Sequence, residues 1–334
     1  MKKVLTICIP TYNMEALLPR CLDSFIIEKE FMERLEIIVV NDGSKDSSSV
    51  IAHTYENRYS NIYFVIDKNN GNYGSCVNAA LKHASGKYFR LVDADDSVNP
   101  VGLIKLLEEL STVEDDIVFT KYTKVFSTNN TRLSCDVDGI RFNYAYNLNT
   151  EPIPTNCLAM HGITVKTNLL KSINYQQTEG ISYTDSEFVL YPLCQAGSLR
   201  CLDVDLYQYY LGRGEQTMSK SSLVKNYNNF NILYTNFINL SPSNFNKNYY
   251  RLKNIYIHRM LTYMLDVLII YGGYTLERDR QLRTYISILE HTNRDAFVMV
   301  MSNSQYHLPY VNIWYRYRLL GKVMIKVIQI LKSR

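Results

Sequence analysis

Long apolar runs are missing from this 334-residue chain. No stretch of about 18 uninterrupted apolar residues occurs, so no membrane-spanning helix is expected. The nearest, "LTYMLDVLIIYGGY" at 261–274, is broken by Asp266 and two glycines. Paired cysteines are missing as well. The seven cysteines, at 8, 21, 76, 135, 157, 194 and 201, form no C-x-x-C, which argues against structural zinc and dithiol redox chemistry. Their odd number and apolar neighbours suit reduced, buried thiols in a cytosolic protein. The opening "MKKVLTICIPTYN" lacks the apolar core of a secretory signal. No charge excess stands out either: Lys and Arg number 36 against 32 Asp and Glu, too mild a balance to indicate nucleic acid. Tryptophan is reduced to Trp314, whereas tyrosine reaches 28, a residue that suits sugar stacking as well as core filling. Apolar residues make up 46%, which excludes wholesale disorder, and the length suits one large domain or two ordinary ones.

In the first half, short β-rich runs alternate with helix-like segments. Strands are expected at "VLTICI" (4–9), "EIIVV" (36–40), "IYFVI" (62–66), "YFRLV" (88–92) and "DIVFT" (116–120). Helices are expected over 14–28, 46–58, 75–84 and 101–110, the last started by Asn99-Pro100. This order implies a mostly parallel, Rossmann-like sheet covered on both faces, with ligands beyond the carboxyl ends of its strands. Four polar loops would meet there: "PTYN" with Glu15, "NDGS", "DKNNGNYG" and "DADD". Neither glycine-rich phosphate cradle is present. "CIPTYNMEA" has no glycine after the first strand, and no G-x-x-x-x-G-K-[ST] occurs.

"DADD" packs Asp93, Asp95 and Asp96 into four positions. A hard divalent cation takes carboxylate oxygens, with ligand phosphates completing its shell. In an extended D-x-D, Asp93 and Asp95 face one side and Asp96 the other. The plainer reading is a solvated acidic turn in which Asp96 or Ser97 caps the next helix.

Over roughly the first 120 residues the chain resembles a family 2 glycosyltransferase of the GT-A fold. The resemblance rests on "ICIPTYNMEALLPRCLDSF", "EIIVVNDGSKDSS" and "NNGNYGSCVNAALKHASGKYFRLVDADD", in order and spacing. It continues more weakly through "EGISYTDSEFVLYPL" (179–193) and "LYQYYLGRGEQTMS" (206–219). The resemblance implies a nucleotide-sugar donor, most often a UDP-sugar, a divalent Mn²⁺ or Mg²⁺, and inversion at the anomeric carbon. Carried over by position, Thr11, Tyr12, Asn13 and Glu15 would line the nucleoside pocket and Asp42 would accept a hydrogen bond from the uracil ring. Asn69, Gly71, Gly74 and Asn78 would shape the ribose and sugar side. Asp93 would meet ribose or metal-bound water, and Asp95 would ligate the metal. The chain departs from the family at Val77-Asn78, where Arg-Asn is common, so a donor-binding cation would come from elsewhere. Arg213 and Gln216, in "GRGEQTMS", match a loop that closes over the diphosphate.

Glycosyl transfer needs a stabilised leaving group and a base for the acceptor hydroxyl. In "YTDSEF" the resemblance puts that base at Asp185, with Glu187 in reserve and Thr184 replacing the usual Glu. The same residues also read as a helix start, Thr184 capping and the two acids facing the dipole. His161 falls where an acceptor-side strand would lie, either as an acceptor contact or as a structural histidine. The Q-x-x-R-W signature of processive members is missing, which implies one sugar per acceptor.

After residue 219 the pattern turns helical, at 249–271 and 277–292, so 1–219 is expected as the GT-A domain and 220–334 as a helical C-terminal domain. The tail 315–334 holds six basic residues and no acidic one. Its amphipathic spacing suits either an anionic membrane surface or a core-packing helix. The expectation is a cytoplasmic enzyme, peripheral on the inner face of the membrane, acting on a glycan, lipid-linked or protein-linked acceptor. Two other readings compete: a non-catalytic sugar- or nucleotide-binding module on the same fold, and a nucleotidyltransferase, whose basic, glycine-rich first loop is absent.

Overall fold

β-branched and leucine-rich runs with few charges favour strands covered on both sides, and this sets the architecture; the charges they do carry, Glu36 and Arg90, are buried and hydrogen-bonded. A computed structural model describes residues 2–126, 131–135, 137–153, 158–212, 219–304, 309–317, 321 and 323. Its described strands are β1 (Leu5–Thr11), β2 (Leu35–Asn41), β3 (Tyr63–Asp67), β4 (Tyr88–Leu91) and β5 (Ser97–Val98). They continue with β6 (Ile117–Phe126), β7 (Thr131–Cys135), β8 (Tyr144–Asn147), β9 (Ile163–Lys166) and β10 (Ser198–Leu211). The sheet runs β3-β2-β1-β4-β9-β6-β10-β5, with β7 on β6 and β8 on β10. All pairings within β3-β2-β1-β4 are parallel. β2 is buried along its whole length. Beyond β4 the sheet is mixed: β9 lies antiparallel between β4 and β6, β6 and β10 run parallel, and β5 adds antiparallel to β10.

Helices Ser48–Arg58 and Asn72–His83 make the crossovers β2→β3 and β3→β4. Helix Pro100–Thr112 starts as its sequence indicates, with Asn99 Oδ1 accepting the amides of Val101 (3.1 Å) and Gly102 (3.4 Å). That cap is neither Asp96 nor Ser97. The segment 14–28, read as one helix, forms a short helix at Leu18–Asp23, and a second one-turn helix follows at Lys29–Met32. The Ser24 hydroxyl and amide both bond the Cys21 carbonyl, at 2.6 and 3.2 Å, closing the first helix. Phe25 then turns into the core with Cys21 and Leu22.

The chain separates into two compact units. One comprises Met1–Arg213 and Ser243–Tyr249, the other Gly214–Pro242 and Tyr250–Arg334. The returning segment is held in the first unit by buried amides. Asn246 Nδ2 donates to the Leu193 and Ala196 carbonyls at 2.7 and 2.8 Å, and Asn248 Oδ1 accepts from the Ile153 amide at 2.7 Å. The second unit is helical, with described helices that include Tyr227–Asn239, Tyr249–Ile269 and Leu276–Thr292. Thr275 and Asn293 cap successive helices there, and buried Trp314 donates its indole N–H to Asp279 at 2.8 Å beneath the Arg283 guanidinium. No described helix is long and apolar enough to cross a membrane. Most of 315–334, and with it the expected amphipathic face, lies outside the described residues.

Candidate active site

The carboxyl ends of β1, β2, β3 and β4 carry the four polar loops, and hydrogen bonds bind them to one another. Glu15 Oε2 accepts from Ser47 N (2.9 Å), Asn13 Oδ1 accepts from Lys45 N (2.8 Å), and Met14 N donates to Ser48 Oγ (2.7 Å). Asn13 takes a left-handed φ of 53° to make this turn. Of the four residues assigned to the nucleoside side here, Asn13 and Glu15 therefore spend side-chain atoms on the neighbouring loop. The Thr11 hydroxyl turns back to the Ile9 carbonyl (3.1 Å), while the Tyr12 ring is 45% exposed. Tyr12 is the member of the set with surface to offer a flat ligand.

Asp42, at the end of β2, is buried, and its Oδ1 accepts from both Lys68 Nζ (2.6 Å) and Gly71 N (2.9 Å). Lys68 also donates to the Asn69 carbonyl (2.6 Å) and Ser75 Oγ (2.8 Å). Lys68 is thus a cation in the loop after β3 that the sequence reading did not single out, and its signal was its place next to "NNG". Asn69 is exposed, and its carbonyl is the part engaged by the lysine. Gly71 and Gly74 are needed for close approach. A Cβ at Gly74 would collide with the Thr178 carbonyl, and one at Gly71 would press on Ser75. Asn78 clamps the same junction: Nδ2 donates to the Gln177 carbonyl (2.9 Å) and Glu179 (2.8 Å), while Oδ1 accepts from Gln177 N (2.8 Å). These three residues fix helix Asn72–His83 against the segment that leads to Asp185.

The three aspartates do not lie on an extended strand. β4 ends at Leu91, and the Asp96 amide bonds the Asp93 carbonyl at 3.0 Å, closing a turn. The alternation expected of an extended D-x-D therefore fails. The Asp95 carbonyl is gripped by Arg20 Nη2 (2.6 Å), whose guanidinium lies 3.6 Å over the Tyr210 ring. Asp93 Oδ1 accepts from the Tyr73 hydroxyl (2.8 Å). Asp96 is fully buried, and its carboxylate accepts from the Tyr207 hydroxyl (2.7 Å) and the Tyr210 amide (2.8 Å). Burial, then the charges of Asp93 and Asp95, push its carboxyl up to about 8.

His161 lies in a 3₁₀ turn just before β9, under this turn. Its ring is stacked by Tyr122 (5.2 Å), packed by Tyr209 (4.3 Å) and met edge-on by Tyr207 (4.8 Å). Its carbonyl accepts from buried Arg90. Burial, with Arg90 second, holds the imidazole down to about 3, so it is neutral at any working pH. One ligand atom each from Asp93, Asp96 and His161 lie within 4.8 Å of one another, and this is a described cluster with metal-ligating chemistry. Of Asp95 and Asp93, the residues assigned to the metal, Asp93 is in it and Asp95 is not. Sequence reasoning missed Tyr73, Tyr207 and Arg20 because their meeting depends on the distant pairing of β10. The alternate tyrosines of "LYQYY" were the available signal.

Asp185 opens helix Asp185–Gln195 and is exposed, just after Tyr183 at φ 69°. Burial and then Asp93 raise the Tyr73 hydroxyl, and Asp185 contributes to that shift, as it does for Tyr209. Asp185 therefore lies within electrostatic reach of these two tyrosines. Glu187 is fully buried: Oε2 accepts from Thr178 N (2.7 Å), and Oε1 from Thr178 Oγ1 (2.7 Å) and Tyr191 OH (3.2 Å). Thr184 forms no cap, since its φ/ψ of −77°/−4° is helical and its buried hydroxyl has no hydrogen-bond partner. Arg213 and Gln216 lie outside the described residues.

The model of the family described as "Glycosyl transferase family 2" matches residues 6–171. Over 220 residues the chain is 30% identical to the uncharacterized glycosyltransferase EpsJ of Bacillus subtilis, covering 63% of this chain and 61% of that one. It is 37% identical over 119 residues to the poly(ribitol-phosphate) beta-glucosyltransferase of Bacillus spizizenii, covering 35% and 19%. An uncharacterized glycosyltransferase of Mycoplasma pneumoniae is 39% identical over 97 residues, 28% of this chain and 32% of its own. The match thus spans about a fifth to three-fifths of the length of these curated relatives. The crystal structure of S. aureus TarS 1–349 in complex with UDP-GlcNAc superposes with a TM-score of 0.66 over 98% of this chain and 90% of that one, at 20% identity. The two share the GT-A fold.

Proposed function

Because the chain belongs, through residues 6–171, to glycosyl transferase family 2, we propose that it is a metal-dependent, inverting glycosyltransferase that moves one sugar from a nucleotide-sugar to an acceptor hydroxyl. The observation that carries this reading is the convergence of four polar loops at the carboxyl ends of parallel strands, the last of them a turn of three aspartates after β4, with the exposed Asp185 at the start of its helix.

The donor is a UDP-sugar. Support comes from the shared fold with TarS, whose structure was solved with UDP-GlcNAc. Tyr12 offers the ring on which a base stacks, and Asp42, held rigid by Lys68 and Gly71, accepts from the ring N–H with its remaining lone pairs. Asp93 and Asp95 would hold Mn²⁺ or Mg²⁺ beside the diphosphate, and Arg213 and Gln216 would contact the donor. A ring nitrogen of His161 and one carboxylate oxygen each from Asp93 and Asp96 lie within 4.8 Å of one another, a donor set that fits a cation. When bound, the cation supplies Lewis-acid stabilisation to the departing diphosphate. The chain's own groups do the rest. Tyr73 and Arg20 fix the turn, helix Asn72–His83 fixes the segment before Asp185, and Asp185 takes the acceptor proton as the sugar's anomeric carbon is attacked from the opposite face. Glu187 is left out of the proton transfer because both its oxygens are committed to Thr178 and Tyr191.

The acceptor is a glycan, lipid-linked or protein-linked, in surface polysaccharide or glycoconjugate synthesis, a setting supported by the relative named poly(ribitol-phosphate) beta-glucosyltransferase. The chain works from the cytoplasmic side, with the basic tail 315–334 resting on anionic lipid. The test is UDP release from a panel of UDP-sugars in Mn²⁺, with and without EDTA. No release from any donor would refute the proposal.

A further inference from the structure

We infer that a cavity along the C-terminal turns of helix Asn72–His83 binds one acidic monosaccharide unit, separate from the sugar that is transferred. The cavity measures about 250 Å³. Clefts of about 300 to 1,000 Å³ hold drug-sized ligands, so this one has room for a single sugar ring and not for a nucleotide. Its floor is Leu81, Leu170 and Tyr175, all buried. Its rim carries Lys82, Asn174 and Gln176, all exposed.

The cavity is built away from the four polar loops. The loop after β3 enters this helix at its other end. Asn78, Leu81 and Lys82 stand at i, i+3 and i+4, so they share one face of the helix. Helix Thr167–Ser172 and the turn behind it supply the facing wall. Asn174 makes that turn at a left-handed φ of 49°, and the Tyr175 amide returns to the Leu170 carbonyl at 2.9 Å. Two wall residues are already spent on protein. Lys171 Nζ donates to the Ala84 carbonyl at 3.0 Å, and both ends of the Asn78 amide serve Gln177 and Glu179. They fix the walls to each other.

The rim residues are unspent. Among the described residues, the side chains of Lys82, Asn174 and Gln176 make no hydrogen bond and no ion pair. Two amides offer donors and acceptors, and the ammonium offers three donors. A buried apolar floor with a tyrosine, under a rim of free amides, matches a sugar, which has an apolar C–H face and a polar edge. The charge of the unit follows from the lining, which holds two ammonium groups and no acid. Lys82 is the one whose charge is uncommitted, so the unit carries a carboxylate or a phosphate. A lysine in the last turn of a helix also suits the dipole. That role alone would leave ligand binding indifferent to its removal. Asn78 joins this wall to the segment that leads to Asp185, so the unit is read as a non-reacting part of the acceptor glycan. This purpose rests on the proposed transferase reading. The binding itself does not.

The experiment is saturation-transfer NMR with calorimetry on the full-length protein. Glucose 6-phosphate and glucuronate are the acidic probes, and glucose and inorganic phosphate are the controls. Excess UDP and Mn²⁺ are present throughout to occupy the donor site. The expected result is saturable binding of an acidic probe, with the better of the two naming the anionic group. Glucose alone and phosphate alone should bind about tenfold more weakly, and Lys82→Ala and Gln176→Ala should each weaken the acidic probe about tenfold. Far-UV circular dichroism and a thermal melt establish that both exposed-site variants are folded. Four results overturn the inference: no binding of either acid, displacement of the probe by UDP, inorganic phosphate binding as tightly as the sugar acids, or a folded Lys82→Ala protein that binds as the wild type does. UDP-sugar turnover on the same samples separates the two readings. Turnover without probe binding removes only this inference, and probe binding without turnover removes only the transferase.

Discussion

Asp185→Asn is the substitution whose outcome depends most on the proposed mechanism. It keeps the shape of an exposed side chain and removes its ability to take a proton. Asp185 is the first residue of its helix, so the lost charge costs about 0.5 kcal/mol of favourable dipole interaction. The fold and its melting temperature stay nearly unchanged. General base catalysis contributes about 10² to 10⁴ in rate, which is about 3 to 5 kcal/mol on the barrier. That loss should appear in kcat, with donor affinity intact, because Tyr12, Asp42 and the 93–96 turn sit on other loops. The assay is pre-steady-state transfer from a UDP-sugar to acceptor, with UDP affinity measured alongside by calorimetry. Glu187→Gln is the control. Its buried carboxylate holds Thr178 and Tyr191, so it should lose about 2 kcal/mol or more of stability. A folded Asp185→Asn enzyme that turns over at the wild-type rate would refute the assignment. An equal fall in UDP affinity and turnover would show that Asp185 binds donor instead.

Asp95→Ala should remove the gain in UDP affinity that Mn²⁺ provides, and unchanged UDP affinity in Mn²⁺ would reject Asp95 as a donor-side ligand. Asp42→Asn should weaken the Lys68 ion pair, lower stability by about 1 to 3 kcal/mol and narrow the discrimination of UDP from CDP, read by chemical denaturation and calorimetry. Removing residues 315–334 should lower association with anionic liposomes while turnover on a soluble acceptor persists; binding that ignores both the deletion and added salt would exclude the electrostatic role. His53 bonds Asp67 and Glu56 at 2.7 Å each, which raises its pKa above the usual value, so its contribution is complete below about pH 6.5 and is lost as pH rises through the folded-state value. His53→Gln should therefore lower stability at about pH 5.5, by no more than ~1 kcal/mol given the partial exposure of all three side chains, and hardly at all at about pH 8.5, as read by thermal melts.

The parallel half of the sheet was legible because its information is local. Apolar runs such as "EIIVV" need cover on both faces, and polar loops must follow them. Asn99-Pro100 named its helix start for the same reason. The conformation of "DADD" was not legible, because a D-x-D reads equally as strand or turn. What decides is Arg20 on the Asp95 carbonyl and β10 delivering Tyr207 and Tyr210 to Asp96. Those contacts span 75 to 114 positions of sequence. Helix 14–28 was over-read because leucines at helical spacing do not reveal that Ser24 closes the turn. Asn78, Gly71 and Gly74 were assigned to the ribose and sugar side, and what they touch is protein. Their sequence pattern cannot distinguish a ligand wall from the support behind one.

The most direct measurement of the central claim is product analysis with the intact protein, a UDP-sugar panel and Mn²⁺, following both UDP and the anomeric configuration of the transferred sugar by NMR. The account predicts UDP release from one or a few donors, loss of that release in EDTA, and a product whose anomeric configuration is inverted relative to the donor. Retention of configuration, pyrophosphate release from a nucleoside triphosphate, or tight UDP binding with no turnover of any donor would contradict it.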